Sequence, residues 1–287
     1  KTDGVELFSI RDSYDPKEAK FYFSTHFGIT SGYHTHNDTG TFVLDMLGKR
    51  FAEDLGSENY NLENELGYKQ TDIYRKRAEG HNVIVLNPDK DFNQTSGLFV
   101  PITKYASNEN GGYVVTDMQG VYKDTTRMKL GYYIDDNMNS LTMRNEFSTA
   151  KTSTAYWFMH TKANVLIDGN TAILSRDGKS VKLEFQTNGS DASISEMAAA
   201  PLETSPQVPE QNKNEGYRKI AIKFTASGDT NLTVKISPLG MSVSPMLTTP
   251  IDEWVLPEKK KVEAVDLSFE VLYNGDKVTS ALPVYDG

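Results

Sequence analysis

The sequence predicts an all-β chain, an antiparallel β-sandwich, and two observations carry that prediction. Apolar and polar residues alternate with period two through short runs, the spacing at which side chains share one face of a strand. Tight-turn dipeptides join the runs: Gly48-Lys49, Asp168-Gly169, Asp177-Gly178 and Asn274-Gly275. Taken in chain order, residues 15–20 leave room for one small helix. Residues 41–47, beginning Thr41-Phe42-Val43-Leu44, form a strand that turns at Gly48-Lys49 and returns through Arg50-Phe51-Ala52. His81 opens a further strand, Val83-Ile84-Val85-Leu86. Tyr156-Trp157-Phe158-Met159-His160 alternates large side chains on another, which places His160 in the core or at its rim rather than in a cleft. Val165-Leu166-Ile167, Thr171-Ala172-Ile173-Leu174 and Val181-Lys182-Leu183-Glu184-Phe185 follow as successive hairpin strands. Residues 187–216, rich in Ser, Pro, Asn, Glu and Ala, show no strand pattern and read as a long surface excursion, not a domain linker. Lys259-Lys260-Lys261 reads as a solvated turn, and Phe269-Glu270-Val271-Leu272-Tyr273 meets Asn274-Gly275 in a last hairpin. Regular short strands with such turns are the signature of a sandwich.

Composition sets the outer bounds. With 287 residues, 38% hydrophobic and 10% aromatic, the chain can bury a substantial core. A net charge of -9 argues against nucleic acid as a partner, because neutralising phosphates needs a basic surface. No run of eighteen apolar residues predicts a membrane span. There is no cysteine, so disulfides and thiolate metal sites are excluded. The chain begins at Lys1 rather than Met, the start expected of a fragment or processed product with an upstream segment missing.

One dense polar constellation stands out: Tyr33-His34-Thr35-His36-Asn37-Asp38, then Asp54, then Gly80-His81-Asn82. On a strand His34 and His36 would project from one face. The turn at Gly48-Lys49 can return Asp54 to the same end of the sheet. Two imidazoles and a carboxylate suit Zn²⁺ with one position left over, which selects His36, Asp54 and His81 as ligands. His34 then sits beside the metal as a proton-transfer candidate. Asp38 either hydrogen-bonds an imidazole behind the ligands or caps the turn, and His26 has no evident partner. The plain alternative is an exposed H-x-H strand, an Asp54-Leu55-Gly56 turn and a strand entrance at His81-Asn82, with no metal. Arg11, Arg50, Arg75 and Arg77 flank the constellation and suit either an anionic substrate or a solvated sheet face. Asp89-Lys90-Asp91-Phe92-Asn93 imitates a calcium loop, but Gln94 and Val100 stand where Gly and Glu are needed.

The order of the pieces adds a resemblance. Arg11-Asp12-Ser13-Tyr14, His34-Thr35-His36-Asn37-Asp38-Thr39-Gly40, Gly48-Lys49-Arg50-Phe51-Ala52-Glu53-Asp54-Leu55-Gly56, Tyr60 and Arg77-Ala78-Glu79-Gly80-His81-Asn82-Val83 together resemble the C-terminal region of heparinase II/III-like polysaccharide lyases. Leu141-Thr142-Met143-Arg144-Asn145-Glu146 and Trp157-Phe158-Met159-His160-Thr161 look like the sandwich strands that follow there. Beyond about Phe185 the likeness is weak. It therefore implies one domain over 1–287, with the motifs carried by residues 1–186 and a more variable stretch over residues 187–287.

The resemblance implies a super β-sandwich whose N-terminal α/α-toroid is absent from this sequence. It also implies a catalytic role for His34 and a zinc ion on His36, Asp54 and His81. The implied partners are an acidic polysaccharide and the toroid domain of the same protein, with no nucleic acid and no membrane; exposed sandwich edges permit a homodimer. The family's substrates imply a periplasmic or secreted setting. A lyase acting on a uronic acid must neutralise the C6 carboxylate, remove the C5 proton and help the C4 oxygen leave. In the family the acid-base Tyr comes from the toroid, so His34 would share base or neutralising duty and the metal would be mainly structural. The alternative is a non-catalytic carbohydrate-binding or scaffold module with an architectural metal.

Overall fold

The computed structural model describes residues 4–32, 35–89, 94–257, 269–273 and 276–280. Contacts divide the chain into two compact units, residues 1–256 and 257–287. In chain order the first unit contains β1 (Val5–Arg11), β2 (Tyr22–Ile29), β3 (Phe42–Met46), β4 (Lys49–Ala52), α1 (Asn61–Asn64), β5 (Ile84–Leu86), β6 (Phe99–Val100), β7 (Ile102–Asn108) and β8 (Gly111–Asp117). It continues through β9 (Thr125–Asp135), β10 (Ser140–Thr161), β11 (Asn164–Asp168), β12 (Thr171–Arg176), β13 (Lys179–Thr187), β14 (Ser190–Ala198) and β15 (Arg218–Pro238). The smaller unit holds an antiparallel pair, β16 (Phe269–Tyr273) with β17 (Asp276–Ser280); its turn dipeptide and Lys259-Lys260-Lys261 lie outside the described residues.

Two antiparallel sheets form the sandwich. The five-stranded sheet runs β1-β2-β3-β4, with β6 on β2. The ten-stranded sheet runs β11-β12-β13-β15-β10-β9-β8-β7, with β14 on β15 and β5 on β10. Alternation along β2 and β3 sends Phe23, Phe27, Phe42, Leu44 and Met46 inward, all buried. There Phe23 packs on Tyr132 at 5.0 Å between ring centroids, and Phe42 stacks on Trp157 at 6.3 Å. Burying Phe23 and Phe42 contributes about 2–3 kcal/mol each, so the contact between the sheets is a main source of stability.

The long strands β10 and β15 pair along their length, interrupted by a bulge between Thr149 and Ser153. Alternation on β10 divides its side chains between two cores. Trp157 and Met159 face the five-stranded sheet, while Phe158 joins Ala78, Val83, Val85 and Ala221 on the other side. That second face is covered by the β4–β5 connection, which contains α1 and three 3₁₀ turns ending at Ala78–Gly80. Elsewhere the ten-stranded sheet is covered by Ile251 and Trp254, which pack on Tyr113, Val115 and Tyr133. Gly131 makes that cover fit, since a Cβ there would lie 2.5 Å from the Trp254 ring.

The expected hairpins are present, with local corrections. The turn after β3 consists of Leu47 and Gly48, both with positive φ, so Lys49 already belongs to β4. Residues 15–20 form one hydrogen-bonded turn at Asp15 and no helix. The expectation of no strand in 187–216 is wrong at β14, which pairs with β15 from Ser190 to Ala198. Its only buried residue is Ile194, so backbone hydrogen bonds define the strand and leave no hydrophobic alternation to read.

Candidate metal centre

The site is built from two connections. Residues 35–41 lie in the β2–β3 loop rather than on a strand, which corrects the expectation that His36 projects from a sheet face. The loop is pinned from several sides. Asn37 N–H donates to the Lys76 carbonyl at 2.9 Å, Gln70 Nε2 donates to the Thr35 carbonyl, and Gly40 N–H donates to the His26 carbonyl at 2.9 Å. Gln94 accepts from Thr39 N–H and donates to its carbonyl, so the residue that spoils the calcium motif holds this loop instead.

The second connection is the covered stretch 53–83. Gly80 is packed so tightly that a Cβ would lie 2.1 Å from the Tyr74 carbonyl oxygen, which brings His81 under the 3₁₀ turn. Asn82, fully buried, fixes the backbone on both sides of the site. Its Nδ2 donates to the Phe42 and Glu53 carbonyls at 2.8 and 2.9 Å, and its Oδ1 accepts from His160 N–H at 2.7 Å. Thr41 Oγ1 accepts from Asn82 N–H at 3.1 Å. A single side chain thus ties β3, the entry to Asp54, and β10 to the residue after His81.

Within this frame one nitrogen each of His36 and His81 and one Asp38 oxygen lie within 4.8 Å of one another. The two imidazole rings are 5.3 Å apart between centroids. Asp54 Oδ2 sits 2.8 Å from Nδ1 of His81, and its Oδ1 accepts from Gly56 N–H at 2.9 Å. Nε2 of His81 is buried with no hydrogen-bond partner among the described residues. Asp38 also reaches His26 Nε2 at 3.4 Å, so His26, which the sequence left without a partner, has one. His34 lies outside the described residues.

Electrostatics follow from this packing. Burial and the neighbouring His81 lower the His36 pKa. Burial works to raise the Asp54 carboxyl, but the charge and hydrogen bond of His81 hold it well below the carboxylate range. The same pairing raises His81 against its burial. Asp38 is likewise lowered: the hydrogen bond from His26 and the charge of His81 outweigh burial. Two imidazoles, adjacent carboxylates and an orphaned, buried ring nitrogen are a donor set that fits Zn²⁺.

The other candidates are occupied structurally. Arg77 is buried and donates to the Thr71 and Asp89 carbonyls, while Arg75 donates to Asn214 Oδ1 and the Ser57 carbonyl. Arg50 pairs with Asp45, and Arg11 lies over the Tyr14 and Tyr22 rings. His160 is fully buried, with Nε2 2.8 Å from the Tyr74 hydroxyl, as the core reading expects. Sequence reasoning missed Lys76, which is buried beside the loop and paired with Glu63, and the buried Lys219–Glu79 pair at 3.1 Å. Neither has a local motif, since the Lys219 pair joins residues 140 positions apart.

Comparison with known proteins now adds to this geometry. The family described as Heparinase II/III-like, C-terminal, matches residues 21–241. No curated protein matches the sequence. Among solved structures, the heparan sulfate lyase HepC from Pedobacter heparinus superposes with a TM-score of 0.64 and 15% identity, over 98% of this chain and 42% of that one. Heparinase III, the BT4657 gene product, superposes with a TM-score of 0.61 and 17% identity, over 82% of this chain and 35% of that one. The chain therefore spans less than half the length of these two solved proteins, and at these identities the likeness concerns the fold. The family match, covering most of the chain and the whole His36–His81 stretch, places this protein in the heparinase II/III-like family, as its C-terminal β-sandwich domain.

Proposed function

We propose that this chain is the β-sandwich half of a polysaccharide lyase that cleaves uronic-acid-containing polysaccharides, glycosaminoglycan-like or alginate-like, by β-elimination. The observation that carries this reading is that the family match and the pocket of His36, Asp38, His81 and Asp54 fall in the same stretch of chain. The two solved neighbours, a heparinase and a heparan sulfate lyase, favour an acidic polymer as substrate.

In the reaction the C5 proton is taken by a base, the C4–O bond breaks as the C4=C5 double bond forms, and the departing oxygen is protonated. His34, two residues before His36, is assigned base or carboxylate-neutralising duty, and the acid-base Tyr is assigned to an N-terminal toroidal domain of the whole protein. His36, His81 and an aspartate, Asp54 in the family's pattern, would hold a zinc ion, which would supply fixed positive charge and brace the loop that carries His36. Hydrogen bonds with Lys76, Gln70, His26 and Gln94 hold residues 35–41 in place. The setting is periplasmic or extracellular, where such polymers are met.

The test uses the full-length protein with a uronate polymer, following the ultraviolet absorbance of the C4=C5 bond conjugated to the carboxylate. Wild type is expected to form the product, and His34→Ala to lose about 10²–10⁴-fold in rate while keeping glycan affinity. Turnover by His34→Ala at the wild-type rate would remove His34 from the mechanism. Glycan binding by wild type without any elimination product would favour the scaffold reading.

A further inference from the structure

The outward face of β1 ends in a cluster that lies apart from the metal pocket. Cross-strand partners share a face, so Val5, Leu7, Ser9 and Arg11, all exposed, project from β1 on the side away from the core. The Arg11 guanidinium lies over two rings, 4.9 Å from the centroid of Tyr14 and 5.0 Å from that of Tyr22, its partner on β2. Stacking of this kind occupies the flat face of a guanidinium, whereas its N–H donors lie in its plane. Among the described residues no carboxylate or carbonyl accepts from them. The nearby acids are committed elsewhere. Asp12 accepts from Lys20 and Phe21 N–H at 3.1 and 3.0 Å, Asp15 accepts from Lys17 N–H at 2.9 Å, and Asp45, opposite Tyr22, pairs with Arg50. The Asp12 and Asp15 bonds also pin the turn that presents Tyr14, which is 88% exposed. A tyrosine held that far out on a pinned turn buries little surface, so core packing does not account for its position.

We propose that Tyr14 and Arg11, with Tyr22 beneath the guanidinium, form a remote saccharide-binding site that takes one acidic pyranose unit of a polymer. The apolar C–H face of the sugar lies on the Tyr14 ring, and its carboxylate or sulfate meets the Arg11 N–H groups. Each part fits that ligand. A tyrosine offers a broad apolar face with few rotatable bonds to immobilise. The planar guanidinium matches an oxyanion with two parallel hydrogen bonds, and the ring under it fixes its orientation. Leu7, opposite His26, lies four residues before Arg11 on β1, roughly 14 Å at about 3.4 Å per residue. His26 in turn reaches Asp38 at 3.4 Å. One polymer crossing the outward face of the small sheet can therefore touch both the edge of the metal pocket and this cluster. The site holds the polymer at a distance from the reacting unit, and it rests on the lyase reading only for the choice of polymer.

The test measures binding, not turnover. Fluorophore-tagged octasaccharides of alginate, which carry carboxylates alone, of heparin, which carry carboxylates and sulfates, and of neutral cellulose are titrated with the full-length protein, and anisotropy is followed. Wild type is expected to bind at least one acidic probe and not the neutral one. Arg11→Gln should weaken that binding about 10–100-fold, the size of a lost charge-assisted contact. Tyr14→Ala should weaken it about 3–10-fold, the size of a lost aromatic contact, with its unfolding midpoint unchanged because the side chain is exposed. Weaker alginate binding in Arg11→Gln identifies the carboxylate as the anion recognised, and a loss confined to heparin identifies the sulfate; both support the site. Wild-type affinity in either variant, equal binding of the neutral probe, or no binding of an acidic probe by wild type would overturn it. Binding that depends on Arg11 and Tyr14 in a protein that releases no elimination product would leave the site standing and refute the lyase reading instead.

Discussion

Removing the Asn82 side chain should unfasten the site and much of the sandwich around it. The side chain is fully buried and bonds three backbone groups: the Phe42 and Glu53 carbonyls and the His160 N–H. In Asn82→Ala each of the three loses that partner inside the protein, at about 1–3 kcal/mol per group. Taking the lower half of that range, because water can enter the vacated space, the loss is about 3–6 kcal/mol. That is a large share of the roughly 5–15 kcal/mol that holds a typical domain. Urea unfolding in the presence of a chelator separates this term from metal binding. The midpoint should fall sharply with little change in slope. Zinc affinity should fall as well, because Glu53 and Asn82 are the chain neighbours of Asp54 and His81. A loss below about 1 kcal/mol would refute the argument, since it would mean that these three bonds do not hold the backbone in place.

Other predictions follow from the same packing. Lys219→Met leaves Glu79 charged and buried and should cost about 3–5 kcal/mol; it should also speed proteolysis near residues 200–205, because Glu79 accepts from Leu202 N–H and Ser205 Oγ. Unchanged protection there would show that the pair does not tie this segment down. Gly131→Ala should displace Trp254, cost about 1–3 kcal/mol and red-shift the fluorescence of one of the two tryptophans; an unshifted spectrum would contradict the close packing. Burial, aided by the Lys219 charge, pushes the His160 pKa well below 6.5, so the unfolded chain takes up a proton there before the folded chain does. The stability involved is present above about pH 6.5 and is lost as the pH falls, by about 1.4 kcal/mol per pH unit. His81 is raised and acts with the opposite sign in both proteins, so the readout is the difference between wild type and His160→Gln. Wild type should lose stability more steeply from pH 6.5 to 5.5 in chelator, and parallel curves would count against a neutral buried His160.

How much of this was legible in the sequence depended on how local each signal is. The strands of the hairpins at Asp168-Gly169 and Asp177-Gly178 could be placed because turn and alternation are both written within a dozen residues. β14 could not, since its side chains are mostly exposed and its partner β15 lies further along the chain. The H-x-H spacing pointed to the right neighbourhood through a wrong intermediate, a strand where the structure has a loop held by Lys76, Gln70 and Gln94. His36 and His81 do meet, as the motif order implied, but spacing gave no sign that an Asp38 oxygen joins them while Asp54 pairs with His81. The pairing of His26 with Asp38 and the threefold role of Asn82 also arise only when β2, β3 and β10 are brought together.

The measurement that tests the central claim most directly is the mass of the product that the full-length protein releases from a uronic acid polymer. Elimination predicts fragments whose new non-reducing ends carry an unsaturated uronate, one water lighter than the corresponding hydrolysis product. Fragments with water added across the broken bond, or a polymer that is bound and left intact, would contradict the assignment of this sandwich to a lyase.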